Sequence, residues 1–160
     1  MLHPAPRVPF WPYTNAIGET MEMIKSLMDP GPHGTMGSFG LLVTRLIVGG
    51  LLIYEHGWGK LMNFKAKAVH FPDPIGLGSH LSLGLTVGAE VVCAGMLILG
   101  LFTRLSAIPI VFLMVIAAFW IHGGDPVSDK EMALLYLAPA LLIVFNGAGR
   151  YSIDGMVHSK

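Results

Sequence analysis

Charge is what this chain has least of: ten Lys+Arg and ten Asp+Glu in 160 residues make it 12% charged, against roughly 25% in a soluble domain. So few charges cannot clothe a water-soluble globule of this length. The two signs balance to a formal net charge of zero, so no bulk field recruits nucleic acid or an anionic surface. The single cysteine, Cys93, excludes an internal disulfide and any CxxC or Cys-rich metal motif. Also missing are a Walker loop, a GxGxxG fingerprint, HExxH, GxSxG and a ferredoxin cysteine pattern, so nucleotide hydrolysis, metalloprotease, esterase and iron–sulfur chemistry have no anchor.

What is abundant is apolar surface, at 53% of residues. A helix needs roughly 17 to 25 apolar residues to cross a hydrocarbon core of about 30 Å. Four stretches qualify, over 39–62, 81–102, 105–122 and 131–147, and backbone satisfaction in lipid makes them helices rather than strands. The expectation is an all-α integral membrane four-helix bundle at 39–156, behind an extended and amphipathic N-terminal segment at 1–38.

That segment opens with Pro4, Pro6, Pro9 and Pro12, with Trp11 and Tyr13 placed as headgroup-level anchors. It lacks the apolar run of a signal peptide after its basic start. After Thr14 or Asn15 as N-cap, Ile17, Met21, Ile24 and Met28 repeat at helical spacing, with Glu19, Glu22 and Lys25 elsewhere on the wheel. This reads as a short amphipathic helix ended by Asp29-Pro30-Gly31-Pro32. It lies on the membrane or a partner, or packs on the protein's own loops. The longest loop, 63–80, is a candidate lid or docking surface. Thr103-Arg104 join the second and third spans as antiparallel neighbours. Ser128 or Asp129 is expected to cap the fourth span, which Pro139 interrupts with a kink. Four crossings put both termini on one side, and the small Lys and Arg bias points that side to the cytoplasm.

Charges inside a span cost roughly 2.5 to 3.5 kcal/mol each on insertion scales, so they are functional candidates by default. Glu55, His56, Lys60, Glu90, His122 and Glu131 fall in one half of the bilayer; Arg45, Arg104, Arg150 and Asp154 fall in the other half or at its border. At 100° per residue, Arg45, Gly49, Leu52, His56 and Lys60 form one stripe facing the bundle, with Glu55 turned away. In the second span Thr86, Glu90 and Ala94 share a face. Gly84 and Gly88, in GxxxG spacing, line nearly the opposite one and permit close helix contact. Glu90 is a proton acceptor or ligand partner, or else half of a structural ion pair with His56 or Lys60. His56 is a proton relay or quinone-carbonyl donor, a haem ligand, or a helix-contact histidine. A bis-His haem site with His122 has no other support. Lys60 reads as a tuning cation or a snorkelling side chain; Arg45 as a partner of carboxylates or freed carbonyls, or as a ligand contact.

Three stretches, Arg45 to Lys60 with its Glu-His-Gly-Trp-Gly-Lys end, Glu90 to Arg104, and Gly147-Ala-Gly-Arg-Tyr-Ser-Ile-Asp154, together resemble the DoxX family of four-helix membrane proteins over about residues 40–156. The resemblance implies a bacterial or archaeal cytoplasmic-membrane protein. It also implies relatives that serve as the small subunit of thiosulfate:quinone oxidoreductase or as membrane partners in oxidoreductase complexes. The leading expectation is therefore a membrane subunit of a quinone-linked oxidoreductase, in contact with lipids and other protein subunits and not with nucleic acid. Glu90 and His56 are the catalytic candidates, and His56, Lys60, Glu90 and Arg45 those that bind the quinone. No metal ligand set and no haem, flavin or iron–sulfur site is evident, so electrons arrive from a partner. The rival expectation is a non-catalytic scaffold or accessory subunit docked through its N-terminal helix. Transport through the bundle, a third reading, has no inverted repeat behind it.

Overall fold

A computed structural model describes residues 13–29, 31 and 33–158. Among these residues the fold is all-helical: α1 (Tyr13–Leu27), α2 (Thr35–Met62), α3 (Phe64–Lys67), α4 (Ser79–Leu99), α5 (Thr103–Ile121), α6 (Val127–Asn146) and α7 (Ile153–His158). The proline-rich opening and Trp11 lie outside the described residues.

Three helices, α2, α4 and α5, are long and apolar enough to cross a membrane, which makes this an integral membrane protein. The fourth expected span is helix α6, of 20 residues. Asp129, Lys130 and Glu131 in its first turns set it apart from the other three in composition. It packs most extensively on α5 and also on α2, and it runs unbroken through Pro139. The shared core is built from small and branched residues: Val48 and Leu52 from α2, Ala94 and Leu97 from α4, Ala107, Ile110 and Met114 from α5, and Leu137, Ala140 and Ile143 from α6. Alanines at the crossings let backbones approach where lipid supplies no hydrophobic drive of its own.

The close approach of α2 to α4 is made by glycines other than the expected pair. A Cβ on Gly57 would meet Val91 Cγ2 at 2.6 Å and the Glu90 carbonyl at 3.0 Å, and one on Gly49 would meet Ile98 Cγ1 at 2.6 Å. Gly84 has nothing nearer than Phe64 Cζ at 4.0 Å, and Gly88 nothing within 4 Å. The GxxxG spacing of α4 is thus no close contact, because its glycines lie away from the α2 seam. Each spanning helix also contains a π-helical stretch, at Leu52–Gly57 in α2, Gly88–Cys93 in α4 and Ala117–Ile121 in α5. The stretches of α2 and α4 touch each other, and they carry His56 and Glu90.

At the opposite end, the C-terminal segment forms a latch over the α4–α5 turn. Buried Asp154 accepts hydrogen bonds from the Phe102 and Thr103 N–H groups at 2.9 and 2.8 Å and from the Thr103 hydroxyl at 2.8 Å. It thereby caps α5 from another part of the chain and holds Phe102 in the left-handed region at φ 43°. The connection between these helices is therefore Gly100–Phe102, and Thr103-Arg104 already belong to α5.

Other helix starts also precede their expected caps. Helix α1 begins at Tyr13, and α6 begins at Val127 behind Pro126 with no side-chain cap, so neither Ser128 nor Asp129 serves as one. Pro126 presets the backbone and its carbonyl accepts the Asp129 N–H at 3.1 Å, which draws the first turn forward. Along α1, Ile17 and Met21 are exposed, while Met28, just after it, is buried. The linker after α1 is held by an Asp29–Arg104 ion pair at 3.9 Å and by a 2.7 Å hydrogen bond between His33 Nε2 and the Asn146 carbonyl.

Candidate functional site

Glu90 stands in the π-helical stretch of α4 and is 4% exposed. A carboxylate at that depth needs a partner, and Lys60, two residues from the end of α2, supplies it. Its Nζ donates to Oε1 at 2.5 Å and to Oε2 at 2.7 Å. His56 lies one turn further into α2. Its ring meets that of Tyr136 from α6 edge to face, with centroids 5.4 Å apart and planes at 89°. Glu55 is exposed and turned away from this group.

These residues border a cavity of about 440 Å³, within the size range of small-molecule sites. His56 and Lys60 of α2, Thr86, Ala89 and Glu90 of α4, Pro109, Phe112 and Leu113 of α5, and Met132 and Tyr136 of α6 line it. Phe71, Pro72, Pro74 and Ile75 of the long loop close over one side. That loop is pinned by Asp73, which accepts from the Leu77 and Gly78 N–H groups at 2.9 and 2.7 Å and from the Ser82 hydroxyl at 2.7 Å. The Ser82 bond first, and then the backbone donors, hold the Asp73 carboxyl below the usual carboxylate range.

Hydrogen-bonding capacity in the cavity is unevenly spent. The Glu90 and Lys60 charges are used on each other, and the Thr86 hydroxyl donates to the Ser82 carbonyl at 2.9 Å. Among the described residues, neither the His56 ring nitrogens nor the Tyr136 hydroxyl has a hydrogen-bond partner. They are the groups left to bind a polar ligand head. Tyr136 was not foreseen from sequence, since one tyrosine in an apolar helix looks like any core or interfacial aromatic.

The predicted residues are thus brought together in part. His56, Lys60 and Glu90 share the cavity, and His122 reaches its edge. Arg45 is elsewhere: fully buried at the latch end, it donates from Nη1 to the Leu97 and Ile98 carbonyls, both at 3.2 Å, and from Nη2 to the Tyr151 carbonyl at 2.6 Å. It ties the end of α4 to the C-terminal segment and does not line the cavity.

Three apolar spanning helices that line, together with α6 and the long loop, a mostly apolar cavity with one ion pair at its inner wall define a small polytopic membrane protein with an internal cavity. The sequence profile of DoxX matches residues 40–123, which contain His56, Lys60 and Glu90, and the chain belongs to the DoxX family. It is also similar to two uncharacterized proteins of Haemophilus influenzae. One is 32% identical, with 75% of this chain and 92% of that protein covered. The other is 30% identical over 54% of this chain, and the chain spans 61% of that relative's length. No solved structure matches.

Proposed function

We propose that this protein is a membrane subunit of a quinone-linked oxidoreductase, with the quinone head held between His56, Tyr136 and the Glu90–Lys60 pair. The observation that carries this reading is the pairing of a 440 Å³ apolar cavity with two polar side chains whose hydrogen bonds are unspent. A quinone head is planar and apolar but for two carbonyl acceptors, and these are what a histidine N–H and a tyrosine O–H serve. When bound, the quinone supplies the two-electron acceptor. The chain's own residues do the rest. His56 and Tyr136 donate to the carbonyls and fix the head. Glu90, shielded from water, holds a proton-accepting carboxylate beside it. Lys60, bonded to both Glu90 oxygens, holds that carboxylate in place. The apolar wall from α5 excludes water.

In this reading α6 is a fourth crossing, the termini face the cytoplasm, and the membrane is the inner one. Electrons come from a partner subunit, of which a thiosulfate-oxidising one is the form the family resemblance implies. Glu90→Gln is expected to lower quinone-reductase activity of the intact complex with assembly unchanged; full activity in that variant overturns the reading.

A second reading, a non-catalytic accessory subunit docked through α1, is favoured by the exposure of Ile17 and Met21 on a helix that packs only sparsely on the rest of the chain. It predicts that deleting residues 1–38 abolishes co-purification of other subunits, and survival of the complex counts against it.

A further inference from the structure

The cavity has two kinds of wall. On the loop side, Pro72, Ile75, His122 and Asp129 border it at the ends of the helices, where water is near. Between α4 and α5 the wall consists of Leu85, Ala89, Pro109 and Phe112. Ala89 is buried, yet Leu85 is 55% and Phe112 56% exposed on the outer surface, and Pro109 is exposed too.

The same side chains therefore face the cavity and the outside. At 1.5 Å per residue, Leu85 lies roughly 9 Å, Phe112 roughly 14 Å and Pro109 roughly 18 Å from the loop-side ends of α4 and α5. Those depths fall inside a hydrocarbon core of about 30 Å, so what meets the seam from outside is acyl chain and not water. Glu90 stands at a similar depth, roughly 16 Å in from Ser79. Ala89, next to it, is the small residue that keeps the seam thin.

We propose that the seam between Leu85 and Ala89 of α4 and Pro109 and Phe112 of α5 is a lateral portal. Through it the ligand enters from the bilayer and its apolar tail stays in lipid. This rests on the quinone reading of the cavity and deepens it: the ligand class is a tailed amphiphile with its head at His56 and Tyr136, and the loop side with His122 and Asp129 serves the head and its protons. Tailless, water-borne molecules are not the cargo this wall selects.

The test uses the whole protein in lipid nanodiscs with two photoreactive benzoquinones. Both carry an isoprenoid tail; one bears a diazirine on the tail's first isoprene units, the other on the ring. The tail probe is expected to label peptides containing Leu85–Ala89 and Pro109–Phe112. An unlabelled tailed quinone at about ten times its Kd should lower that labelling about tenfold. The ring probe is expected to label His56–Lys60 or Tyr136 with the same competition, and Leu85→Trp, which thickens the seam at a lipid-facing position, should cut competable tail labelling while preserving the fold. Competable tail labelling on residues 72–75 or 122–129, with ring labelling still at His56 or Tyr136, overturns the portal and leaves the quinone reading standing. Absence of competable labelling by either probe overturns both.

Discussion

Removing Lys60 should cost more than removing Glu90, although the two form one ion pair. The Glu90 side chain is 5% and that of Lys60 22% exposed. Breaking a buried pair from one side costs roughly 3 to 5 kcal/mol, because the remaining charge is stranded. Lys60→Met strands Glu90 deep in α4 with no other cation among the described residues bonded to it, so a loss of about 3 kcal/mol is expected, the low end allowing for the exposed flank of Lys60. Glu90→Gln strands Lys60, which sits two residues from the end of α2 at Met62 and can snorkel towards water, so about 1 kcal/mol is expected there. The double variant Lys60→Met/Glu90→Gln leaves no bare charge, and its loss should fall short of the sum of the two singles by roughly 2 kcal/mol. Thermal or denaturant unfolding in one detergent, read on all four proteins, gives the cycle. Additive losses, or Glu90→Gln costing more than Lys60→Met, refute the reasoning.

Three further outcomes follow from other parts of the fold. Asp154→Ala removes three hydrogen bonds from the start of α5 and should destabilise the protein by about 3 kcal/mol, with Asp154→Asn milder; unfolding midpoints decide. Gly57→Ala places a methyl group 2.6 Å from Val91 Cγ2 and should cost about 1 to 3 kcal/mol, whereas Gly84→Ala, in open space, should be neutral or slightly stabilising; a larger loss at Gly84 contradicts the α2–α4 contact described. Asp73 titrates lower in the folded loop than in the unfolded chain. Its contribution is therefore complete above the unfolded value of about 3.9 and is lost as pH falls through the lower folded value. Hydrogen exchange at Leu77 and Gly78 should accelerate only below about pH 4, and Asp73→Asn should show fast exchange already at neutral pH.

Much of the architecture could be read from the sequence because lipid leaves the backbone few options. Long apolar runs gave the spanning helices to within a few residues. The stripe Arg45, Gly49, Leu52, His56 and Lys60 is the inward side of α2, with Arg45, Gly49 and Leu52 buried and Glu55 exposed. Thr86, Glu90 and Ala94 are all buried on α4. Partner identity was less legible, since it depends on which helices meet. The π-helical turns at His56 and Glu90 alter the local phase of both helices through packing and leave no local sequence mark. Small-residue spacing singled out Gly84 and Gly88, while the contact is made by Gly49 and Gly57, because spacing records a face but not what lies opposite. Arg45 found its acceptor on Tyr151, more than a hundred residues away, which no local pattern encodes.

The most direct test of a quinone head at His56 and Tyr136 is the quinone content of the protein purified with its surrounding lipid. The account predicts about one quinone per chain, enriched over the quinone-to-phospholipid ratio of the parent membrane, and loss of that enrichment in a folded His56→Leu/Tyr136→Phe variant. A ratio equal to that of the bulk membrane in both proteins would contradict it.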